Sequence, residues 1–415
     1  MFPKLDGDAP NGIVKYGALK KHTARLTGLI RVITTVSVVA DLLLGLGNTV
    51  RPPIKARGAG PLFQVHYASK WGYMNRDGKV VIPPQFDDEG DFFGGLAKAR
   101  IGKTWGFIDE SGRVIIPFRF ASAGNFQEGL APVQVERKWG FTNREGRLVI
   151  EPQFQAASEF HEGLARFEKW DALRCSGGSG KENAPHEYNN TNANEYVFRL
   201  HDMGSVADCF PMDVQYGFVD RFGNVKIPPK FKWADDFSQG RATVLDALSG
   251  ETLFGYIDFT GKIAIAPRFR RALRFSEGAA AVDVNRGVSG QSGWAFIDKA
   301  GRYIVQPRFK EALPFSEGLA QVKVSGQGWG FINRRGELVI PAKYLETQGF
   351  SDGLALVSSE DQEDGYFIDK SGRPQLFVAS PQFSFSDGLT IGGELGQRYY
   401  QDLRGRIVAP YERRQ

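Results

Sequence analysis

Apolar and polar positions alternate in short runs along most of this chain, and the runs come in groups of three. Residues 129–135 alternate small and apolar side chains, the pattern of a half-buried strand. Residues 138–143 form a second run, rich in the aromatic residues that suit a pleated surface. Residues 148–150 form a third run, stopped by Pro152, and a tight turn containing Gly146 joins the last two. The pattern predicts a three-stranded antiparallel meander.

This meander is one copy of a repeat. The second run of each copy starts with Trp or another aromatic residue and continues as Gly-Phe-Ile-Asp or a close variant, followed by a turn Gly, an apolar strand ending in Pro, and Phe-x-x-Ala-x-x-Phe-Ser-Glu-Gly-Leu-Ala-x-Val. The starting positions are Trp71, Trp105, Trp139, Tyr216, Phe254, Trp294 and Trp329. A degenerate copy at Gly365 and a partial copy at residues 399–410 follow. The recurrence predicts an all-β fold of about nine tandem meanders of ~35 residues.

A single meander of this size cannot bury its own aromatic side chains, so the units are expected to stack. At ~25 cal/mol per Å² and ~150–250 Å² per ring, the aromatic residues of one unit contribute several kcal/mol between them. The repeated aromatic positions are therefore predicted to be structural. The array opens on a first strand and closes on a third strand, which suits a β-propeller-like arrangement. The alternative is an open superhelical β-solenoid, because nine units exceed the usual four to eight propeller blades.

The N-terminal residues 1–59 depart from the repeat. Four basic residues, the last of them Arg25, precede an apolar stretch at residues 26–47, as in a signal sequence or membrane anchor. Arg31 and Asp41 interrupt that stretch, and each charge costs roughly 2.5–3.5 kcal/mol near the centre of a membrane helix. The alternative is an amphipathic helix that packs on the array or lies on a membrane surface. Export or anchoring and a cytoplasmic location both remain open.

An insertion at residues 168–215 separates repeats at residues 60–167 from those at 216–415. Its Gly-Ser and Asn-rich runs have the composition of a loop, and its eight acidic and four basic residues give it a net charge of −4. Cys175 and Cys209, the two cysteines of the chain, both lie within it. A disulfide between them would close a loop of about 35 residues and would suit an oxidising compartment. Two unpaired thiols are the alternative. Long loops often carry function, so the insertion is the first candidate for a partner contact.

Two ladders of carboxylate or amide side chains recur with the repeat. A residue needed once for catalysis would not be repeated in nearly every unit, so both ladders are predicted to form turns and cap loops. The first ladder precedes the turn Gly: Asp109, Asn143, Asp220, Asp258, Asp298, Asn333 and Asp369. The second precedes the Gly of the first strand: Glu128, Glu162, Glu277, Glu317, Asp352 and Asp387.

No other pattern in the sequence indicates catalysis or a cofactor. The five histidines lack zinc-ligand spacing, and neither a phosphate-binding loop nor a nucleophile elbow is complete. We therefore predict no catalytic residue, no cofactor and no metal site. A net charge of +5 spread over 415 residues gives no clustered basic patch, so no nucleic-acid partner is expected.

The motif resembles that of the WG-repeat (KWG-repeat) proteins. Lys70-Trp71-Gly72 and Lys138-Trp139-Gly140 carry the letters of the name, and the resemblance covers about residues 62–411. The chain departs from the motif where Trp or Gly is replaced, at Tyr216, Phe254, Ala295 and Gly365. The resemblance implies a mostly bacterial family of β-repeat proteins, commonly exported, without a shared enzymatic activity. It supplies no site residues.

These observations favour a non-enzymatic repeat scaffold that binds a protein or, as an alternative partner, a glycan of the cell envelope. A second hypothesis is a hydrolase or lyase whose site lies at a propeller centre. A third is a structural protein tethered to a membrane through residues 26–47.

Overall fold

The computed structural model describes residues 60–170, 172–175, 209–246, 252–284, 293–360, 362–377, 384–393, 398–410 and 412–413. Every regular element in these residues is a β-strand, which confirms the predicted all-β class. The N-terminal segment 1–59, with its predicted apolar helix, and the central part of the insertion at 176–208 lie outside the described residues.

The predicted meander is confirmed. In the third unit, β9 (Leu130–Val135), β10 (Lys138–Asn143) and β11 (Leu148–Phe154) are antiparallel neighbours. Two details of the prediction were wrong. The third strand continues past Pro152 to Phe154, because it is an edge strand and its proline faces no further ladder. After seven of the third strands the connector also forms a short strand, which pairs with the first strand of the next unit.

Nine units of this kind are present in the described residues. Their remaining first strands are β1 (Phe63–Tyr67), β5 (Leu96–Ile101), β13 (Leu164–Lys169), β19 (Ala242–Asp246), β22 (Ala280–Val284), β26 (Leu319–Val324), β30 (Leu354–Ser359) and β33 (Leu389–Gly392). The second strands are β2 (Lys70–Met74), β6 (Thr104–Asp109), β16 (Gln215–Asp220), β20 (Leu253–Ile257), β23 (Gly293–Ile297), β27 (Gly328–Ile332), β31 (Gln362–Asp369) and β34 (Tyr399–Asp402).

The third strands are β3 (Val80–Phe86), β7 (Val114–Phe120), β17 (Val225–Phe231), β21 (Ile263–Ala272), β24 (Tyr303–Phe309), β28 (Leu338–Tyr344), β32 (Pro374–Phe377) and β35 (Ile407–Pro410). The short strands are β4 (Asp88–Glu89), β8 (Ser122–Ala123), β12 (Ala156–His161), β18 (Trp233–Ala234), β25 (Glu311–Ser316), β29 (Glu346–Thr347) and β36 (Glu412–Arg413). In the sixth unit the end of β21 takes the place of the short strand, so the fifth and sixth units share a seven-stranded sheet. None of the described sheets closes on itself.

Aromatic pairs hold consecutive units together. The Phe or Tyr in the second strand of one unit packs against the second Phe of the connector that leads into the first strand of the next unit. Ring centroids are 4.7 Å apart for Phe107 and Phe126, and 5.0 Å apart for Phe296 and Phe315. Such pairs contribute about 0.5–1.5 kcal/mol each beyond their buried area. The same contact joins Tyr73 to Phe92, Phe141 to Phe160, Phe218 to Phe237, Tyr256 to Phe275, Phe331 to Phe350 and Phe367 to Phe385.

The first and ninth units also contact one another. Strand β36, which follows the ninth unit, pairs in parallel with β1 of the first. The rings of Phe63 and Tyr400 meet edge-on with centroids 5.7 Å apart, and Val65, Met74 and Leu389 share one buried cluster with Tyr400. The two ends of the array therefore have a common hydrophobic core.

The base of the insertion is a two-stranded ribbon. Strands β14 (Ala172–Cys175) and β15 (Cys209–Met212) pair antiparallel. They continue the register in which Lys169 faces Gln215 at the end of the fourth unit's sheet. We call β14 and β15 the neck. The sequence predicted a loop here, but the neck extends the first two strands of the unit beyond the sheet.

Candidate functional site

Each meander has a constant end, where the second strand turns into the third. In all nine units this turn has five residues and the same pair of backbone hydrogen bonds. In the third unit, the amide of Asn143 donates to the carbonyl of Arg147 at 2.9 Å, and the amide of Gly146 donates to the carbonyl of Asn143 at 3.0 Å. The turn Gly adopts a φ near 80° in the third unit, which explains why Gly recurs there.

The first ladder of acidic and amide side chains builds these turns, as predicted. Oδ1 of Asp298 accepts hydrogen bonds from the amides of Ala300 and Arg302, both at 2.9 Å. Asp109 makes the equivalent bonds and also bonds the Ser111 hydroxyl and the Arg113 guanidinium. Burial raises the pKa of Asp109, but the hydrogen bonds from Ser111 and Arg113 outweigh it and lower the pKa to about 2. This carboxylate is a structural acceptor.

The second ladder fastens each unit to the next. Oε2 of Glu128 accepts from the amide of Gly163 in the following unit at 3.0 Å. Glu162 accepts from the amides of Gln239 and Gly240 at 2.7 and 2.8 Å. The equivalent bonds run from Gly318 to Glu277, from Gly353 to Glu317 and from Gly388 to Asp352. Loop capping was predicted, but the sequence did not reveal that the capped loop belongs to the neighbouring unit.

The opposite end of each meander, between the first and second strands, is the variable end. The turn has two residues in the first three units, Ala68–Ser69, Gly102–Lys103 and Glu136–Arg137. It spans residues 325–327 in the seventh unit, 247–252 in the fifth, 285–292 in the sixth and 393–398 in the ninth. In the fourth unit the connection between these two strands comprises residues 170–214, which is most of the insertion at 168–215. Differences in length between units are therefore concentrated at this end.

The seven repeat aromatic positions lie near the variable end, at or next to the start of each second strand. Trp139, Tyr216, Phe254 and Trp294 are buried, with 4–8% of their surface exposed. Trp71, Trp105 and Trp329 are only partly buried and pack against neighbouring core clusters.

Cations cover two of the partly buried rings. The Lys98 ammonium lies 5.3 Å and the Arg100 guanidinium 5.7 Å from the ring centroid of Trp105. Lys323 lies 5.4 Å from the ring of Trp329. Because a cation over a ring is held by the electrostatic attraction of the ring face, these contacts fix charged groups beside the variable end.

A charged cluster specific to the fourth and fifth units lies between their sheets. Arg166, on β13, is 8% exposed and donates through Nη1 to the carbonyl of Ala234 at 2.9 Å. Its Nε lies 3.3 Å from Oδ1 of Asp236. The Ser158 hydroxyl donates to the same carboxylate at 2.7 Å, and Nε2 of His161 lies 3.8 Å from its other oxygen. We call Arg166, Asp236, Ser158 and His161 the Arg166 cluster.

The four side chains of the Arg166 cluster interact with one another. Burial raises the pKa of Asp236, but the charge of Arg166, followed by that of His161, outweighs it and holds the pKa below its usual range. The Ser158 hydroxyl donates to Asp236 rather than to His161, so the arrangement is not that of a serine nucleophile activated by histidine. The cluster therefore joins two units that the insertion separates in sequence.

The acidic residues of β4 differ from the repeat. Glu89 occupies the position of the repeated Ala, and its Oε2 is buried without a hydrogen-bond partner among the described residues. Burial, followed by the charges of Asp88 and Asp91, raises the pKa of Glu89 to about 8, although Lys98 opposes the shift. A carboxyl group in this position destabilises the fold when it is ionised.

Sequence reasoning missed both of these features. For Glu89 a signal was present, because it replaces the repeated Ala and a comparison of the copies would have found it. Arg166 and Asp236 occupy variable positions of the motif, so no departure from the consensus marks them.

The remaining predicted features divide between described and undescribed residues. Cys175 and Cys209 are direct partners in the register of the neck. Residues 26–47 lie outside the described part of the chain. Within that part, no three His, Cys, Asp or Glu side chains are close enough together to hold a metal ion. No helix there is both long and apolar enough to span a membrane.

The family is decided by the repeat itself. A family model described as "WG containing repeat" matches seven copies, at residues 71–105, 105–139, 139–169, 216–245, 254–286, 294–327 and 329–361. The chain belongs to the WG-repeat family. This confirms the resemblance drawn from the Trp-Gly motif. A comparison with curated proteins gave no match.

Several solved structures resemble the WG-repeat chain weakly. The computationally designed Ika8 protein is 9% identical over 77% of this chain and 93% of its own, with a TM-score of 0.38. BamB from Moraxella catarrhalis is 11% identical over 83% of this chain and 92% of its own, with a TM-score of 0.33. The dihydro-heme d1 dehydrogenase NirN is 10% identical over 89% of this chain and 78% of its own, with a TM-score of 0.38. At these TM-scores the likenesses carry no conclusion about architecture or function.

Proposed function

We propose that this WG-repeat chain is a non-enzymatic scaffold. Its nine units form a closed, propeller-like ring, and the ring binds a protein partner through the variable end. Different observations support the closure of the ring and the recognition of a partner at the variable end.

Closure is supported by contacts that recur from unit to unit and again between the ends. The turn Gly112 packs on Ile82 in the third strand of the preceding unit, and Gly78 of the first unit packs in the same way on Val408 of the ninth. Arg334 of the seventh unit lies against Gly278 of the sixth, and Arg76 of the first unit lies against Gly388 of the ninth. An open superhelix would leave these surfaces of the terminal units without partners.

Recognition at the variable end is supported by one observation, the contrast between the two ends of the meander. The constant end repeats one five-residue turn in all nine units, whereas the first turn ranges from two residues to most of the insertion. Repeat proteins adapt to partners by varying loops on one face of a rigid array. The variable turns therefore provide the surface that can be specific.

The non-enzymatic part of the proposal is supported by the uses of the repeated carboxylates. Side chains such as Asp298 and Glu162 accept backbone hydrogen bonds within turns and between units. The buried Arg166 and the partly buried Asp236 neutralise one another. These groups hold the framework, which leaves the exposed turns for binding.

The test is partner capture with the full chain, followed by measurement of the affinity of the purified partner. A first variant replaces residues 176–208 with a short Gly-Ser linker and keeps the neck. A second replaces residues 285–292 with a two-residue turn. The matched control changes exposed residues of the constant end, Lys299→Glu and Arg335→Glu.

We expect the affinity to fall at least tenfold in one or both variable-end variants, about 1.4 kcal/mol, and to remain within twofold in the control. Full affinity in both variable-end variants, combined with loss in the control, would overturn the location of the surface. Binding only to cell-envelope glycan, with no protein partner, would overturn the partner class. Thermal unfolding of each variant checks that the array is intact.

A further inference from the structure

The neck places the two cysteines of the chain opposite one another. Strands β14 and β15 pair antiparallel, and Cys175 and Cys209 are direct partners in that pairing. The register is the same as that of Leu164 with Asp220 in the sheet below. The two cysteines therefore occupy the last described pair of a separate two-stranded ribbon, whose register matches that of the fourth unit's sheet.

This position suits a covalent link. Directly opposite residues of an antiparallel pair have Cα atoms about 4.5 or 5.5 Å apart, depending on the hydrogen-bonding pattern. A disulfide joins Cα atoms about 4.4–6.8 Å apart, so either type of pair brings the two backbones within its range. In the sequence the same two residues are 34 positions apart, and only the pairing of the neck brings them together.

We propose that Cys175 and Cys209 form an intramolecular disulfide that locks the neck. The bond would close the insertion at its base and hold it at the variable end of the fourth unit. This inference concerns a covalent modification, so it stands or falls independently of the proposed partner binding. It also makes the insertion sensitive to the redox state of its surroundings.

The chemistry balances with a small disulfide, such as oxidised glutathione, as the electron acceptor. The thiolate of one cysteine attacks a sulfur of glutathione disulfide, forms a mixed disulfide and releases one glutathione thiolate. The second cysteine thiolate then attacks the protein sulfur of that mixed disulfide and releases the second glutathione thiolate. Two protein thiols are oxidised to one disulfide, and one glutathione disulfide is reduced to two thiols.

The first experiment counts thiols. The folded full-length protein is equilibrated in glutathione redox buffers, quenched with acid and alkylated with iodoacetamide under denaturing conditions. Intact mass is measured with and without prior reduction. In the most oxidising buffer we expect a monomeric chain with no alkylated cysteine before reduction and two after it. Two alkylated cysteines in the most oxidising buffer, mixed disulfides with glutathione at equilibrium, or disulfide-linked dimers would each overturn the proposal.

The contribution of the neck is measured by repeating the equilibration across the series of glutathione redox buffers in denaturing urea. If the pairing of β14 and β15 positions the thiols, the folded chain should form the bond at a glutathione ratio at least about tenfold more reducing than the unfolded chain. Equal ratios would show that the fold does not bring the cysteines together. The Cys175→Ser and Cys209→Ser variants are the controls. In each, the remaining cysteine should be either alkylated without reduction or joined to glutathione, with no intramolecular bond.

A second experiment locates the bond. Limited proteolysis is directed to the segment between the cysteines, and the cleaved protein is analysed by denaturing electrophoresis. The two fragments should migrate together without reductant and separate with it. Separation without reductant would contradict the proposal, and the Cys175→Ser variant shows how the separated fragments migrate.

Discussion

Gly78 packs directly on Val408, although the two residues lie in the first and last units of the array. A methyl group at Gly78 would lie 2.6 Å from the carbonyl oxygen of Val408. At an internal junction, a methyl group at Gly112 would lie 3.1 Å from the side chain of Ile82. The junction between the first and ninth units is therefore packed as closely as a junction between consecutive units.

The first prediction tests this junction with Gly78→Ala. The substitution places a Cβ at a φ of 81° and forces it against Val408. The left-handed conformation costs roughly 1–2 kcal/mol, and the steric overlap adds about 1–3 kcal/mol. We expect the free energy of unfolding, measured in urea, to fall by the sum of both.

Gly353→Ala is the matched control, because Gly353 has the same φ of 81° and no atom within 4 Å of the added methyl group. This control should lose only the part of the free energy of unfolding that comes from the left-handed backbone conformation. If the two variants lose the same free energy of unfolding, the first and ninth units are not in contact in solution, and an open superhelix becomes the better description.

Much of the fold could be predicted from the sequence because the repeat presents the same local pattern many times. The alternation of apolar and polar residues predicts the strands, and the spacing of Asn143 and Gly146 predicts the turn, because both signals are local in sequence. The predicted end of the third strand at Pro152 is wrong, because the strand continues to Phe154. Proline lacks a backbone N–H and therefore prevents pairing on one side of a strand only. In β11 that side is the open edge of the sheet, so the strand can continue.

The contacts between units could not be predicted in the same way. The partners of Glu162 are Gln239 and Gly240, which follow the insertion in sequence. The Arg166 cluster likewise joins residues that are neighbours only after the units stack. No local pattern encodes such pairs. Glu162 has the consensus residue of its position and Arg166 occupies a variable one, so the sequence around them does not identify their partners.

The second prediction concerns the pair of the buried Arg166 and the partly buried Asp236. Removing the cation by Arg166→Met leaves the carboxylate without its main compensating charge. Loss of one partner of a buried pair typically costs about 3–5 kcal/mol. We expect a loss of this size in urea unfolding at neutral pH, and a partial recovery in the double variant with Asp236→Asn.

Lys232→Met is the control, because Lys232 pairs with Asp213 at 3.4 Å on the exposed surface. Exposed pairs contribute about 0–1 kcal/mol. A loss in Arg166→Met no larger than in this control, or a double variant as unstable as the sum of its single changes, would refute a coupled buried pair.

The third prediction is that Glu89→Ala stabilises the protein at neutral to mildly alkaline pH. The pKa of Glu89 is raised from 4.5 to about 8 on folding. Between these values the folded chain binds more protons than the unfolded chain, so its stability falls as pH rises. An unpartnered buried polar group costs about 1–3 kcal/mol. We expect a gain of this order near pH 8 that shrinks towards pH 4.5, measured by urea unfolding. A gain independent of pH would show that the charge of Glu89 is not responsible.

The last prediction concerns acid stability and the constant-end turns. Hydrogen bonds lower the pKa of Asp109 from 3.8 to about 2 despite burial. They also lower the pKa values of Asp258, Asp298 and Asp369. A carboxylate with a lowered pKa stabilises the fold above its unfolded pKa, and this contribution is lost as pH falls through the folded value. We therefore expect the melting temperature to fall steeply between about pH 4 and pH 2.

Replacement of these four aspartates by asparagine should weaken that dependence. Asn143 already accepts the same two backbone amides, at 3.2 and 2.9 Å, so the turn does not need a charge. The reverse change, Asn143→Asp, should make the acid loss steeper. Melting temperatures of the three proteins, measured by circular dichroism across the acid range, provide the comparison. Identical profiles in all three would show that acid unfolding is controlled by groups outside the turns, and the repeated aspartates would then contribute geometry alone.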